Sequence, residues 1–171
     1  FALGTTAEHL LRRTRKPLLV VRRPAAHAYR RALVAVDFSP HSRTALEWAC
    51  RLGQLAEVHV LHVFEMPFEG MMQYSAVDAE LVRQYRREAH AEATQEMQRF
   101  IADTAIDPRR LHTEIAGGEH IPGALRERAL ALDADLVVVG KHGKSLAEQL
   151  LLGSVTLHLL SQCPCDVLVA Q

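Results

Sequence analysis

Three short stretches of this chain, ALVAVDF (Ala32–Phe38), DLVVVG (Asp135–Gly140) and DVLVA (Asp166–Ala170), are apolar with almost no alternation. A strand with one wet face alternates apolar and polar residues. A continuous β-branched run of this length has both faces covered, as in a parallel sheet between two layers of helices. The segments between these runs carry helical periodicity. Ser39 offers an N-cap oxygen and Pro40 a first helical position. The helix that follows has Ala45, Ala49 and Leu52 on one stripe, Leu46 and Trp48 beside it, and Gly53 as its stop. EVHVLHVF (Glu57–Phe64) reads as a second strand, followed by a loop with Pro67 and Gly70. A long helix is expected from about Val77 to Ala105, with Val77, Leu81, Tyr85, Ala89, Ala93, Met97 and Phe100 on its apolar face. LHTEIA (Leu111–Ala116) alternates as a third strand and ends at Gly117-Gly118. Ile121, Ala124, Leu125, Ala129 and Leu132 set the stripe of the next helix, and a last helix begins near Ser154.

Strand–helix–strand units need right-handed crossovers, so the expected architecture is α/β, a parallel sheet with helices on both faces. A ligand in such a sheet sits beyond the carboxyl ends of the strands, where the strand order reverses. The candidate positions are the end of the first strand, with Asp37, and the end of the fourth, with Gly140. The 20 basic and 20 acidic residues cancel, which argues against a polyanion-binding surface and hence against nucleic acid as a partner. No apolar run approaches the roughly 20 residues that cross a bilayer, and no signal-peptide core is present, so no membrane is expected. Cys50, Cys163 and Cys165 are too few for a disulfide framework and fit a reducing cytoplasm. Cys163-Pro164-Cys165 can be a redox or metal pair, or simply packed thiols before a strand. The absence of a second Cys/His pair at zinc-like spacing favours the latter.

The segment DLVVVGKHGKSLAEQLLLGS places Gly140 and Gly143 directly after a strand and Gly153-Ser154 at a helix start. Glycine permits positive φ and close approach of a ligand to the backbone. A helix start has unpaired N–H groups and a dipole that favours an anion. Together they can cradle phosphate, and Ser154 can cap the helix, donate to a phosphate oxygen, or both. Spacing alone leaves plain turns equally open, and neither a Walker A loop nor a dinucleotide fingerprint is present. Lys141, His142 and Lys144 lie inside the loop and can lend positive charge to phosphates or stand solvated; His142 can also make binding depend on pH. Asp37 can meet a ligand or close the strand-to-helix turn. His59 and His62 fall on opposite strand faces and cannot grip one ion together. No nucleophile–base–orienter set and no metal-ligand spacing is legible, so neither catalytic residues nor metal ligands are assigned.

Gly140-x2-Gly143-x9-Gly153-Ser154 resembles the nucleotide-binding motif of the universal stress protein family. VAVDFSPHSRTALEWA is similar to that family's first strand and helix, VHVLHVFE to its second strand, and CPCDVLVA to its closing strand, so the likeness covers 31–171. The resemblance implies an open five-stranded parallel sheet of order 3-2-1-4-5, of the adenine nucleotide alpha hydrolase-like type. It implies ATP, with Mg2+ held mainly by phosphate oxygens and water. By motif position, Asp37 would meet the ribose or adenine side, the backbone of Val63 the adenine edge, and Gly140, Gly143, Gly153 and Ser154 the phosphates. The implied role is a nucleotide-dependent stress-response sensor or regulator with at most weak ATPase activity. A nucleotide-independent interaction module of the same fold is the alternative. An adenylating enzyme of the wider group is a third reading, weakened because Asp37-Phe38-Ser39-Pro40 stands where its Ser-Gly-Gly-x-Asp-Ser loop would be.

LGTTAEHLLRRTRKPLLVV (Leu3–Val21) is a worn copy of LGSVTLHLLSQCPCDVLVA (Leu152–Ala170), matching at Leu3/Leu152, Gly4/Gly153, His9/His158, Leu10/Leu159, Leu11/Leu160, Leu19/Leu168 and Val20/Val169. Residues 1–23 are therefore expected to be the last helix and strand of a preceding domain of the same kind, with 24–30 as linker and 31–171 as the complete domain. The chain also begins at Phe1, without an initiator methionine. Exposed sheet edges invite pairing, and family members commonly dimerise through the closing strand. Strand 166–170 is accordingly expected to pair, antiparallel, with 17–21 or with another chain in a homodimer. The helix Thr5–Arg13 would carry Leu10 and Leu11 without a parent core and dock on another copy.

Overall fold

The computed structural model describes residues 5–22, 24, 27–52, 57–65, 79–144 and 152–171. The expected helix stop at Gly53, the loop with Pro67 and Gly70, the helix start at Val77 and the matches at Leu3 and Gly4 lie outside these residues. In chain order the elements are α1 (Thr5–Arg13), β1 (Leu18–Val20), β2 (Arg31–Ala35), α2 (Pro40–Arg51), β3 (Glu57–Glu65), α3 (Ala79–Ala102), a 3-10 turn (Pro108–Arg110), β4 (Leu111–Gly118), α4 (Ile121–Ala131), β5 (Leu136–Gly140), α5 (Ser154–Gln162) and β6 (Asp166–Ala170).

The apolar runs occupy the middle of the sheet. β2 lies between β3 and β5, parallel to both, with Ala32 opposite Val58 on one side and Leu136 on the other. β4 extends β3 and β6 extends β5, again parallel. Among the described residues the sheet has six strands in the order β1-β6-β5-β2-β3-β4. The expected five-stranded, all-parallel sheet is thus corrected to a mixed one: five strands keep the expected order, and β1 adds antiparallel to β6. The physical reason is the edge. Without β1, β6 would present a row of unpaired N–H and C=O groups; Leu18, Leu19 and Val20 pair with Val169, Leu168 and Val167.

Side chains alternate between two cores. Ala32, Val34, Val36 and Val138 pack under α2 (Ala45, Leu46, Ala49) and α3 (Met97, Phe100, Ile101). Leu33, Ala35, Val137 and Val139 pack under α4 (Leu125, Ala129) and α5 (Leu159, Leu160). Ser39 and Pro40 start α2 as expected, the Ser39 side chain accepting from the Ser42 N–H. Two apolar stripes are shorter than the sequence implies. Leu81 and Tyr85 on α3 are exposed, and only Ala93, Met97 and Phe100 of that face are buried, because only the C-terminal half of the helix overlies the sheet. The helix of the arm also departs from expectation. Leu11 is fully buried in the second core, while Leu10 faces solvent. Burial of one leucine contributes about 1.5–3 kcal/mol, so α1 has a core within its own chain.

Candidate functional site

The carboxyl ends of β2 and β5 diverge where the strand order reverses, and two turns meet there. β2 ends at Ala35, and the chain passes through Asp37 and Phe38 before the Ser39 cap of α2. Asp37 joins the two turns. Its Oδ1 accepts the Ser39 N–H at 3.0 Å and its Oδ2 accepts the Lys144 N–H at 2.9 Å. The helix cap is Ser39, so the carboxylate bridges the loops rather than capping. Phe38 has φ 64°, a left-handed conformation that costs a side-chain-bearing residue about 1–3 kcal/mol. Its ring stacks on His62 with centroids 4.2 Å apart and meets Phe100 edge-on at 5.7 Å. The His62 Nδ1–H donates to the Val36 carbonyl at 2.8 Å, and burial holds this imidazole below its ordinary pKa. These contacts offset the strain and fix the turn that aims Asp37.

The other wall comes from the glycine segment. The Lys141 N–H donates to the Ala170 carbonyl at 2.8 Å, and the Gly153 N–H donates to the Lys141 carbonyl at 3.1 Å. The Thr156 hydroxyl donates to the Gly140 carbonyl at 2.8 Å, tying the first turn of α5 to the end of β5. The N-cap of α5 is Gly153, with no side-chain cap, and Ser154 is the first helical residue with an exposed side chain. The capping role open to Ser154 is therefore not the one it takes. The glycines divide in purpose. A Cβ at Gly140 would lie 2.9 Å from the His41 backbone carbon, so that glycine serves the close approach of α2. A Cβ at Gly153 would meet nothing nearer than 3.6 Å, and the residue has φ −58°. Neither glycine uses the positive φ that the sequence suggested for the segment.

Between the walls lies a cleft of about 240 Å³. Asp37, His142, Gly140, Gly143 and the first turn of α5 (Gly153, Ser154, Val155, Thr156) line one part of it, and Val36, Leu61, Val63, Ile121 and Leu125 line an apolar part. Leu61 accepts from the Val36 N–H, so its peptide faces β2; by the parity of a parallel strand the Val63 peptide faces the same way, where β2 has already ended. The structure thus brings together Asp37, Val63, Gly140, His142, Gly143, Gly153 and Ser154.

The two lysines are placed elsewhere. Lys141 is buried and turned away from the cleft, its Nζ donating to Arg12 O (3.2 Å), Thr14 O (3.0 Å) and Gln171 Oε1 (2.8 Å). Burial, and secondarily the charge of Arg15, lowers its pKa. Lys144 is exposed, its Nζ 3.5 Å from Glu96 and 5.2 Å from the centre of the Phe38 ring. His41 stands edge-on to His142 at 5.0 Å, and burial followed by the neighbouring His142 holds it below the ordinary histidine value. Phe38, His41, His62 and Thr156 were not found by sequence reasoning. Only Thr156, at the third position of the last helix, carries a local signal. His59 stacks on His112 at 4.8 Å while His62 lies on the other face, as alternation requires. No group of three or more metal-ligating side chains occurs among the described residues. No helix among them is long and apolar enough to cross a membrane.

The profile of the Universal stress protein family matches residues 28–171. A universal stress protein of Synechocystis sp. is 29% identical over 154 residues, covering 84% of this chain and 98% of that protein. One from Methanocaldococcus jannaschii is 28% identical, covering 87% and 86%. Among solved structures, hypothetical protein MJ0577 superposes with a TM-score of 0.68 at 24% identity, covering 84% of this chain and 96% of its own. A functionally unknown protein of Pseudomonas aeruginosa PAO1 gives 0.69 at 21% identity; the match spans 99% of this chain but 57% of that one. A universal stress protein in complex with cAMP gives 0.54 at 22% identity, covering 85% and 98%.

Proposed function

Since the chain belongs to the universal stress protein family, we propose that it binds ATP in this cleft and acts as a nucleotide-dependent regulator or sensor of the stress response. One observation carries the reading. The first turn of α5 begins at a glycine with no side-chain cap and opens into the same cleft as Asp37 and an apolar wall ending in Val63. Unpaired amides at a helix start favour an anion, and a flat base needs an apolar slot with peptide edges beside it. Phosphates at Gly143, Gly153 and Ser154 with the base against Val63 satisfy both. The cAMP complex of a protein of the same fold supports an adenine nucleotide as the ligand class.

A divalent cation finds few donors in this chain. Both oxygens of Asp37 already accept amide hydrogens, and no other cluster of ligands adjoins it among the described residues. Mg2+ would arrive with the triphosphate, coordinated by phosphate and water. The test is calorimetric titration with MgATP, adenosine and inorganic tripolyphosphate. MgATP binds, each half-ligand binds more weakly, and Gly153→Val abolishes binding while the fold is kept. Silence toward MgATP overturns the proposal. The contact of Gly140 with α2 favours the second reading, an interaction module whose glycines serve packing; that reading leaves the open space at Gly153 without a purpose.

Residues 1–23 fit the closing helix and strand of a preceding domain. β1 pairs with β6 about the equivalent residues Leu19 and Leu168, as two copies related by a local two-fold would. The half-length match to the larger Pseudomonas chain supports a tandem arrangement. In a homodimer the exposed Leu10, Leu19 and Val21 of the arm would meet the second copy, which sedimentation velocity would detect.

A further inference from the structure

Away from the cleft, thiols are the chemistry to which the proposed function gives no role. Cys163 is the C-cap of α5, and Cys165 precedes the first residue of β6. Pro164 between them fixes one backbone torsion, and the two sulfurs lie 3.6 Å apart, within reach of an S–H···S contact. Both are free thiols; Cys163 is buried and Cys165 is partly open to solvent. Cys50 cannot compete for either. It packs against the core under α2 and α3, whereas the pair lies in the core on the opposite face of the sheet.

The surroundings favour one thiolate in the pair. The contact with the Cys165 sulfur lowers the Cys163 thiol to about 7 against the opposing effect of burial, with a smaller contribution from the Arg22 guanidinium. The same contact, with burial, holds the second proton well above the ordinary thiol range. Arg22 is fixed there: its guanidinium donates to the carbonyls of Leu159 and Leu160, and its N–H donates to Asp166 Oδ1 at 2.7 Å. A packed structural thiol is normally inert and raised in pKa, whereas reactive thiols have a cationic neighbour and a second sulfur close by.

We propose that Cys163 and Cys165 form a reversible dithiol–disulfide centre oxidised by hydrogen peroxide. The ionised sulfur attacks one peroxide oxygen, the O–O bond breaks, and the departing hydroxide takes up a proton to leave as water. The resulting sulfenic acid is attacked by the other sulfur, the S–O bond breaks, and a second water leaves. Two thiols are oxidised and one peroxide is reduced to two waters. A small thiol reverses the reaction by exchange, appearing as its own disulfide. The site is independent of nucleotide. It lies at the clasp of the N-terminal arm, where Asp166 holds both the Arg22 N–H and the Tyr29 hydroxyl (2.6 Å).

The test uses the full chain carrying Cys50→Ser. After hydrogen peroxide treatment and alkylation, the intact mass falls by about 2 Da with no alkyl group on Cys163 or Cys165, and dithiothreitol restores both alkylation sites. In Cys165→Ser the resolving thiol is gone, and dimedone traps a sulfenic acid on Cys163 that the parent does not accumulate. Alkylation of both thiols after peroxide overturns the proposal. So does a disulfide between chains, or accumulation of sulfinic acid in the parent.

Discussion

Alanine at Gly140 and alanine at Gly153 should have unequal effects on stability, although the two glycines look alike in the sequence. At Gly140 the new Cβ would stand 2.9 Å from the His41 backbone carbon and Cβ and 3.0 Å from its carbonyl oxygen. Those atoms belong to the first turn of α2 and cannot rotate aside. Either α2 shifts or β5 does, and overpacking of this kind costs about 1–3 kcal/mol. At Gly153 the nearest atoms are at 3.6 Å, and φ −58°, ψ 145° suit any L-residue. There alanine meets no native strain. Its restriction of the unfolded chain, about 0.4–1 kcal/mol, is offset by alanine's poorer service as an N-cap, so stability should change by less than about 1 kcal/mol. Urea unfolding at equilibrium measures both, provided the denaturant slope is unchanged. Calorimetry with MgATP completes the pair: Gly153→Ala crowds the cleft and weakens binding about tenfold or more, equivalent to about 1.4 kcal/mol. A Gly140→Ala protein as stable as the parent would refute the packing argument. A Gly153→Ala protein with full affinity would refute the assignment of that amide turn to phosphate.

Asp37→Ala removes the acceptor of two amide hydrogens and should lower stability by about 1.5–3 kcal/mol even without ligand, measured by urea unfolding. Lys141→Met releases the C-terminal end of α1, so trypsin should cut at Arg12, Arg13 or Arg15 faster than in the parent, with MgATP affinity unchanged. His41 and His62 are both held below their ordinary value by burial, so the unfolded chain takes up their protons first. Their contribution is complete above about pH 6.5 and is lost as pH falls below it toward the folded values; His62→Gln should flatten that part of the stability profile. With Lys141 engaged by the arm and Lys144 beside Glu96, MgATP affinity should fall less than about threefold between low and moderate monovalent salt, as calorimetry at two ionic strengths would measure.

That the five strands lie parallel between helical layers was legible from the apolar runs and the strand–helix–strand alternation, and the resemblance alone supplied their order, 3-2-1-4-5. Element ends were less so. The first strand was expected through Phe38 but stops at Ala35, because the turn that presents Asp37 needs the left-handed Phe38. Nothing in a one-dimensional pattern marks a phenylalanine held there by stacking on His62, some two dozen residues later and on a neighbouring strand. The buried face of α3 stops short of Leu81 and Tyr85, since periodicity reports a stripe and not how far the sheet extends beneath it. The arm departs from its pattern in the other direction: Leu11 has a core to enter, made of side chains that are distant in sequence.

The candidate site shows where such reading loses resolution. Motif position assigns whole residues, whereas the folded segment divides each residue between main chain and side chain. Lys141 keeps its carbonyl in the wall of the cleft, accepting from Gly153, and sends its ammonium across to α1 and Gln171. Gly140 gives its missing side chain to α2 and its carbonyl to Thr156. A direction already filled by the chain's own atoms has no capacity left for a ligand. By that criterion the proposed phosphate donors reduce to the main-chain amides that follow Gly153 at the start of α5, together with the Gly143 edge of the cleft. Those amides are neutral and fixed by the helix, so in the proposed complex their hold on an anion would come from aligned dipoles and not from mobile cations.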